Sequence, residues 1–444
     1  MSYKIGMVSL GCPKNQVDAE VMLASLTAAG FELTQAESEA DAIIINTCGF
    51  IEDAKTEAIE NIIEVAKFKS DGILKALVVT GCLAERYRDE ITREIPEVDV
   101  VVGIGKNKDI VKIVTDAIEG KRENYFGEKC ELELSGERIL TTPPYSAYLK
   151  IAEGCDNCCT YCAIPLIRGS FRSRSIESCV NEAETLAEKG VTELILVAQD
   201  TTRYGEDLNG GKSLLPELLK ELCKVEGIHW IRTLYTYPER ITDELLEVIA
   251  NEDKVVPYLD IPLQHCNGEI LSRMNRSGDY ESLKELIGKI RKAVPDITLR
   301  TTFLVGFPGE TNEQFCELCE FVKEIEFDRL GCFAYSEEEG TPAAEFDCQV
   351  DKQLRQDRAE NIMEEQLLIA AAKNEAKIGK TTEVLIEGYD NYIRCYFGRS
   401  AADAPEIDGK VFFISPTPLK IGDYVKVHIN DTLDYDLLGE LEEE

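Results

Sequence analysis

Residues 153–164 read EGCDNCCTYCAI, and four cysteines fall within eight positions: Cys155, Cys158, Cys159 and Cys162. A redox pair needs two cysteines, and a closed zinc site needs four ligands. The chain has sixteen cysteines but only three histidines, so a bound metal would be held by thiolates, which suits zinc or iron–sulfur. Cys155, Cys159 and Cys162 form C-x3-C-x2-C. Three thiolates can hold three irons of a four-iron cluster and leave the fourth open to a cosubstrate. Cys158 and Cys159 are adjacent, which is awkward for two ligands of one small site. Three more cysteines stand apart in sequence: Cys12 in SLGCPKN, Cys48 in NTCGF and Cys82 in TGCLAER.

The elements around them explain how distant cysteines could meet. KIGMVSL, DAIIINT and ALVVTG read as strands, each followed by a cysteine and then a helical stretch. That is a βαβ pattern with a parallel sheet, whose strands end along one ligand-binding edge. The linker KRENYFGEKCELELSGERILTT is polar. AYLKIAE, ELILVAQ, HWIRTLY, PYLDIP, ITLRTTFLVG and RLGCFAY then alternate with helices, predicting an incomplete parallel barrel. A long amphipathic helix runs from Asp351 to Lys377. Beyond it come short strands with Gly, Pro and Asp turns, and a tail, LEEE, expected to fray. The expected class is α/β: an N-terminal parallel α/β sheet domain, a central partial (β/α)6 barrel, and a C-terminal small antiparallel β-barrel. The expected boundaries are 3–120, a linker at 121–140, 141–372 and 374–441.

The formal net charge is −35. Such a field repels polyanions and attracts basic proteins, which argues against a nucleic-acid partner. From residue 378 onward there are fourteen Asp or Glu against six Lys or Arg. No run approaches a membrane span, and the first residues lack the basic-then-apolar pattern of a secretory start. A soluble cytoplasmic protein is expected, with its cysteines reduced or metal-bound.

The C-x3-C-x-aromatic-C pattern, with Tyr161 as the aromatic, resembles the signature of radical S-adenosylmethionine (SAM) enzymes. Together with the N-terminal cysteines and the small barrel, the chain resembles the radical SAM methylthiotransferase family. GCDN-CTYCAIPLIRG (with Cys158 interposed), YLDIPLQH, TTFLVGFPGET and the YS-EEGTPA stretch carry that likeness. SLGCPKNQVDAE, from Ser9 to Glu20, and AQDTTRYG, from Ala198 to Gly205, are similar to the branch that modifies an aspartate of small-subunit ribosomal protein twelve. The resemblance implies a TRAM domain at the C-terminus and two [4Fe-4S] clusters. One is held by Cys155, Cys159 and Cys162 and cleaves SAM. The other is held by Cys12, Cys48 and Cys82 and carries the sulfur. It implies two SAM molecules, a sulfide or polysulfide donor, and a flavodoxin or ferredoxin reductant. Candidate SAM contacts are Tyr161, Gln199, Asp200, Gly306 and Gly309. His265, Cys316 and Cys319 read as structural.

Overall fold

The computed structural model describes residues 3–72 and 74–442. The N-terminal part is a five-stranded, wholly parallel sheet. Its order is Glu32–Leu33, Lys4–Ser9, Ala42–Thr47, Ala76–Gly81 and Val100–Val101. Both central strands are buried on both faces, as β-branched and aliphatic runs between helical layers must be. One apolar cluster centres on Ile43, Ile45 and Val79, and the other on Ile44, Val78 and Ile113.

The polar linker is anchored through one buried cation. Arg138 donates to Glu20 Oε2 at 2.6 Å, to Glu182 Oε1 at 2.5 Å and to the Tyr148 carbonyl at 2.8 Å. It thereby ties the first domain to the second.

The central domain has six parallel strands in sequence order. Ser146–Lys150, Glu193–Val197 and Trp230–Thr233 form one sheet; Tyr258–Asp260, Thr298–Val305 and Arg329–Ala334 form the next. The two meet where the Val256 amide donates to the Ile231 carbonyl at 3.0 Å and the Thr236 amide to the Asp260 carbonyl at 2.9 Å. This is the open six-unit barrel expected from the strand–helix alternation.

Helix Lys352–Glu375, capped by the Asp351 carboxylate, leads to a closed five-stranded barrel. Its order is Thr381–Asp390, Cys395–Ser400, Val411–Ile414, Asp436–Leu441 and Tyr424–Leu433. Val411–Ile414 and Asp436–Leu441 pair in parallel; the other pairs are antiparallel. The first two tail residues thus differ from the frayed end expected. Leu441 closes a strand, and the Glu442 amide donates to the Lys426 carbonyl at 3.0 Å. Glu443 and Glu444 lie outside the described residues. Among the described residues no helix is long and apolar enough to cross a membrane.

Candidate active site

Cys12, Cys48 and Cys82 each follow the carboxyl end of a parallel strand. Cys12 caps helix Pro13–Ala28, and Cys82 opens helix Cys82–Glu94. Both thiols therefore stand at helix N-termini, where the peptide dipoles favour a thiolate. The loops are pressed together: a Cβ on Gly11, whose φ is +90°, would fall 2.9 Å from Cys48 Sγ. Burial pushes the Cys82 thiol up to about 12, and the charges of Cys12 and Cys48 add to that rise. Burial likewise raises Cys48. Three close thiolates need a compensating positive charge, which iron supplies. The protein adds positive charge of its own: Arg168 Nη2 lies 3.5 Å from Cys82 Sγ, and Lys14 lies near Cys12.

Cys155, Cys159 and Cys162 lie in the loop between strand Ala152–Glu153 and helix Ile164–Arg168. Main-chain bonds shape it: the Cys155 amide donates to Gly169 at 3.1 Å and the Cys162 amide to Cys159 at 3.0 Å. Thr160 Oγ1 ties it to the Arg273 carbonyl at 2.8 Å. Burial pushes Cys155 up to about 11 and raises Cys162 further, with Cys159 adding to both. Cys159 is buried, beside Arg276 Nη1 at 3.8 Å and Tyr237 Oη at 3.9 Å. Cys158 is exposed and holds a left-handed φ of +50°. Its carbonyl accepts from Asn275 Nδ2 at 3.1 Å.

Among the described residues no three Cys, His, Asp or Glu side chains converge as the ligands of a single ion do. Cluster ligation does not require that, because each thiolate binds a different iron. Each set combines one buried cysteine, Cys82 or Cys159, with two half-buried ones and sits beside a buried arginine, a donor set that fits two iron–sulfur clusters.

The candidate SAM contacts divide. Tyr161 packs against the apolar group around Met274, Phe307 and Tyr335. Gln199 donates to Glu153 Oε1 at 2.5 Å, while its buried Oε1 has no partner and is open to a donor. Asp200 is saturated by Asn157, Thr202, the Arg203 amide and Arg240, so it braces the cysteine loop. Side chains fill the space that Gly306 and Gly309 leave: a Cβ there would meet Arg355 Cγ and Arg273 Nη1, each at 2.3 Å. His265 is buried, and burial with Arg358 nearby lowers it to about 3; its Nδ1 accepts from the Asn267 amide at 2.9 Å. Cys316 and Cys319 share helix Asn312–Ile325 far in sequence from either triad.

Four neighbours of the thiols escaped the sequence reading: Lys14, Arg168, Tyr237 and Arg276. Lys14 and Arg168 lie within quoted motifs, SLGCPKN and CAIPLIRG, whose cysteines alone carry the sequence reading. Arg168 is nearly inaccessible. It bonds Asp18 Oδ2 at 2.6 Å, Glu153 Oε2 at 3.2 Å and Asn15 Oδ1 at 3.1 Å. One guanidinium thus links the first domain's helix, a strand of the second domain and Cys82.

Three family descriptions match in the same order as the domains. They are "Uncharacterized protein family UPF0004" at residues 4–103, "Radical SAM superfamily" at 149–322 and "TRAM domain" at 378–441. The protein named "Ribosomal protein uS12 methylthiotransferase RimO" of Desulforamulus reducens is 51% identical, with 98% of this chain and 99% of that protein aligned. The chain belongs to the RimO family. RimO of Clostridium botulinum (strain Eklund 17B) is 50% identical over 100% of this chain and 99% of its own. RimO of Geobacter sulfurreducens is 47% identical over 99% and 98%. The RimO-family fold also resembles a more distant solved structure. The radical S-adenosylmethionine methyltransferase TsrM of Kitasatospora setae aligns with a TM-score of 0.58 at 15% identity, covering 77% of each chain. That likeness concerns the fold alone.

Proposed function

We propose that this chain methylthiolates the β-carbon of an aspartate in ribosomal protein uS12. The observation that carries this reading is near full-length identity to RimO relatives in a chain that presents two separate cysteine triads. Cys155, Cys159 and Cys162 would hold one four-iron cluster, and Cys12, Cys48 and Cys82 the other. When bound, these clusters with SAM supply the 5′-deoxyadenosyl radical and the sulfur that is transferred. An aspartate β-carbon carries no acidic proton, so a general base could not activate it.

The chain's own residues position these parts. Arg276 and Tyr237 flank Cys159, and Arg168 flanks Cys82. Hydrogen bonds and charge at cluster sulfurs tune potential and hold ligand geometry. Gln199 offers the unpaired acceptor for SAM. The loop around Glu338 bridges the domains beside Cys48: Glu338 Oε2 pairs with Arg86 at 2.8 Å and Lys55 at 3.3 Å, while Arg86 also donates to the Gly49 carbonyl at 2.8 Å. The sulfur donor is sulfide or polysulfide, the reductant a flavodoxin or ferredoxin, and the setting the cytoplasm.

The test is anaerobic incubation with SAM, sulfide, a reductant and uS12. One aspartate of uS12 should gain about 46 Da as hydrogen is replaced by methylthio. Methylthio groups appearing on transfer RNA instead would place the chain in the RNA-modifying branch.

A further inference from the structure

Lys14 is buried, with 8% of its surface exposed, on the first turn of helix Pro13–Ala28 and two residues beyond Cys12. Its ammonium makes no ion pair or hydrogen bond among the described residues. It lies over the ring of Tyr235, whose centroid is 3.5 Å from Nζ, and the charges of Cys12 and Glu153 also act on it. A mostly buried lysine with no carboxylate in hydrogen-bond reach is poorly compensated, and a cation–π contact offsets only part of that cost. The nearby carboxylates are already engaged. Glu153 is held by Arg168 and Lys150, and Asp260 by Arg300 and the Tyr235 amide.

The platform beneath Lys14 belongs to the other domain. Tyr235 follows strand Trp230–Thr233 at its carboxyl end, where barrel active sites are built. It holds φ +61°, a left-handed conformation rare for an aromatic residue, and the Asp260 carboxylate fixes its amide at 3.0 Å. Strain of this kind persists where surrounding structure imposes it, often at ligand clamps. The unpaired ammonium therefore sits between the Cys12 end of one domain and the open edge of the barrel. A substrate carbon that exchanges hydrogen at one triad and sulfur at the other would have to approach both domains, and Lys14 touches both.

We infer that Lys14, seated on Tyr235, is the receptor for the side-chain carboxylate of the substrate aspartate. That carboxylate is bonded directly to the reacting carbon, so its capture fixes the carbon's position. This assignment rests on the proposed reaction. It goes further in naming the group that selects aspartate over its neutral isostere, because a buried ammonium left unpaired by an amide penalises the wrong substrate.

The experiment uses the reconstituted protein with SAM but without reductant, so that binding is measured and no turnover occurs. Two probes are compared: a uS12 peptide centred on the modified aspartate, and the same peptide with asparagine there. The wild-type protein should favour the aspartate peptide by about tenfold or more. Lys14→Met and Lys14→Gln should bring the two affinities within about twofold, whereas Lys14→Arg should keep the preference. Equal binding of both peptides by the wild type overturns the inference, as does a preference that survives both neutral variants. Loss of uS12 methylthiolation by the wild type would instead strike the underlying reaction.

Discussion

At the residue scale, environment separates cysteines that are equivalent on paper. Cys159 is buried against Arg276 and Tyr237, whereas Cys158 is exposed on a left-handed turn. Cys158→Ser should therefore keep full iron content and SAM cleavage. Cys159→Ser should lose that cluster, about four irons per chain, by iron analysis and visible absorption. Sequence made the six candidate ligands legible, because thiols are rare and their spacing is constrained by what they bind. It did not reveal Lys14, Arg168, Tyr237 or Arg276. Nothing in the local pattern around a lysine or arginine says that the opposite domain will bury it. Among the candidate SAM contacts, Gln199 keeps an open atom, while Asp200 is spent on bracing.

At the element scale, the β/α alternation was readable because its apolar runs are long and buried on both faces. The closing strand Asp436–Leu441 was not, since DLLGEL gains its meaning only from pairing with Tyr424–Leu433 on one side and Val411–Ile414 on the other. The small barrel is fastened to the core by a buried pair: Glu193 of strand Glu193–Val197 meets Arg399 Nη2 at 2.6 Å. Burial alone would raise the Glu193 carboxyl, but Arg399, with Arg232 and Ser146, holds it down at about 2. A depressed carboxylate stabilises the fold fully above its unfolded value of about 4.3, and that share is lost as pH falls toward 2. Acid should thus loosen the core–barrel junction across that window. Arg399→Met should weaken this pH dependence and destabilise the chain by about 3 kcal/mol, by leaving the buried carboxylate with Arg232, at 3.4 Å, as its remaining ion pair. Denaturant unfolding at pH 7 and pH 3 checks both statements.

At the scale of the whole molecule, Arg168 and Lys14 join the sheet edge that carries Cys12 and Cys82 to the barrel domain. The chain's net charge of −35 suits a basic protein substrate. The KM for uS12 should therefore rise with ionic strength, while uncoupled SAM cleavage changes little, because screening acts on exposed charges at long range. The central claim is that each triad holds its own cluster. Iron per chain, measured after anaerobic reconstitution of the wild type and of each triple Cys→Ala variant, tests it most directly. Two clusters predict about eight irons in the wild type and about four in either variant. About four irons in the wild type, unchanged when Cys12, Cys48 and Cys82 are all replaced, would contradict it.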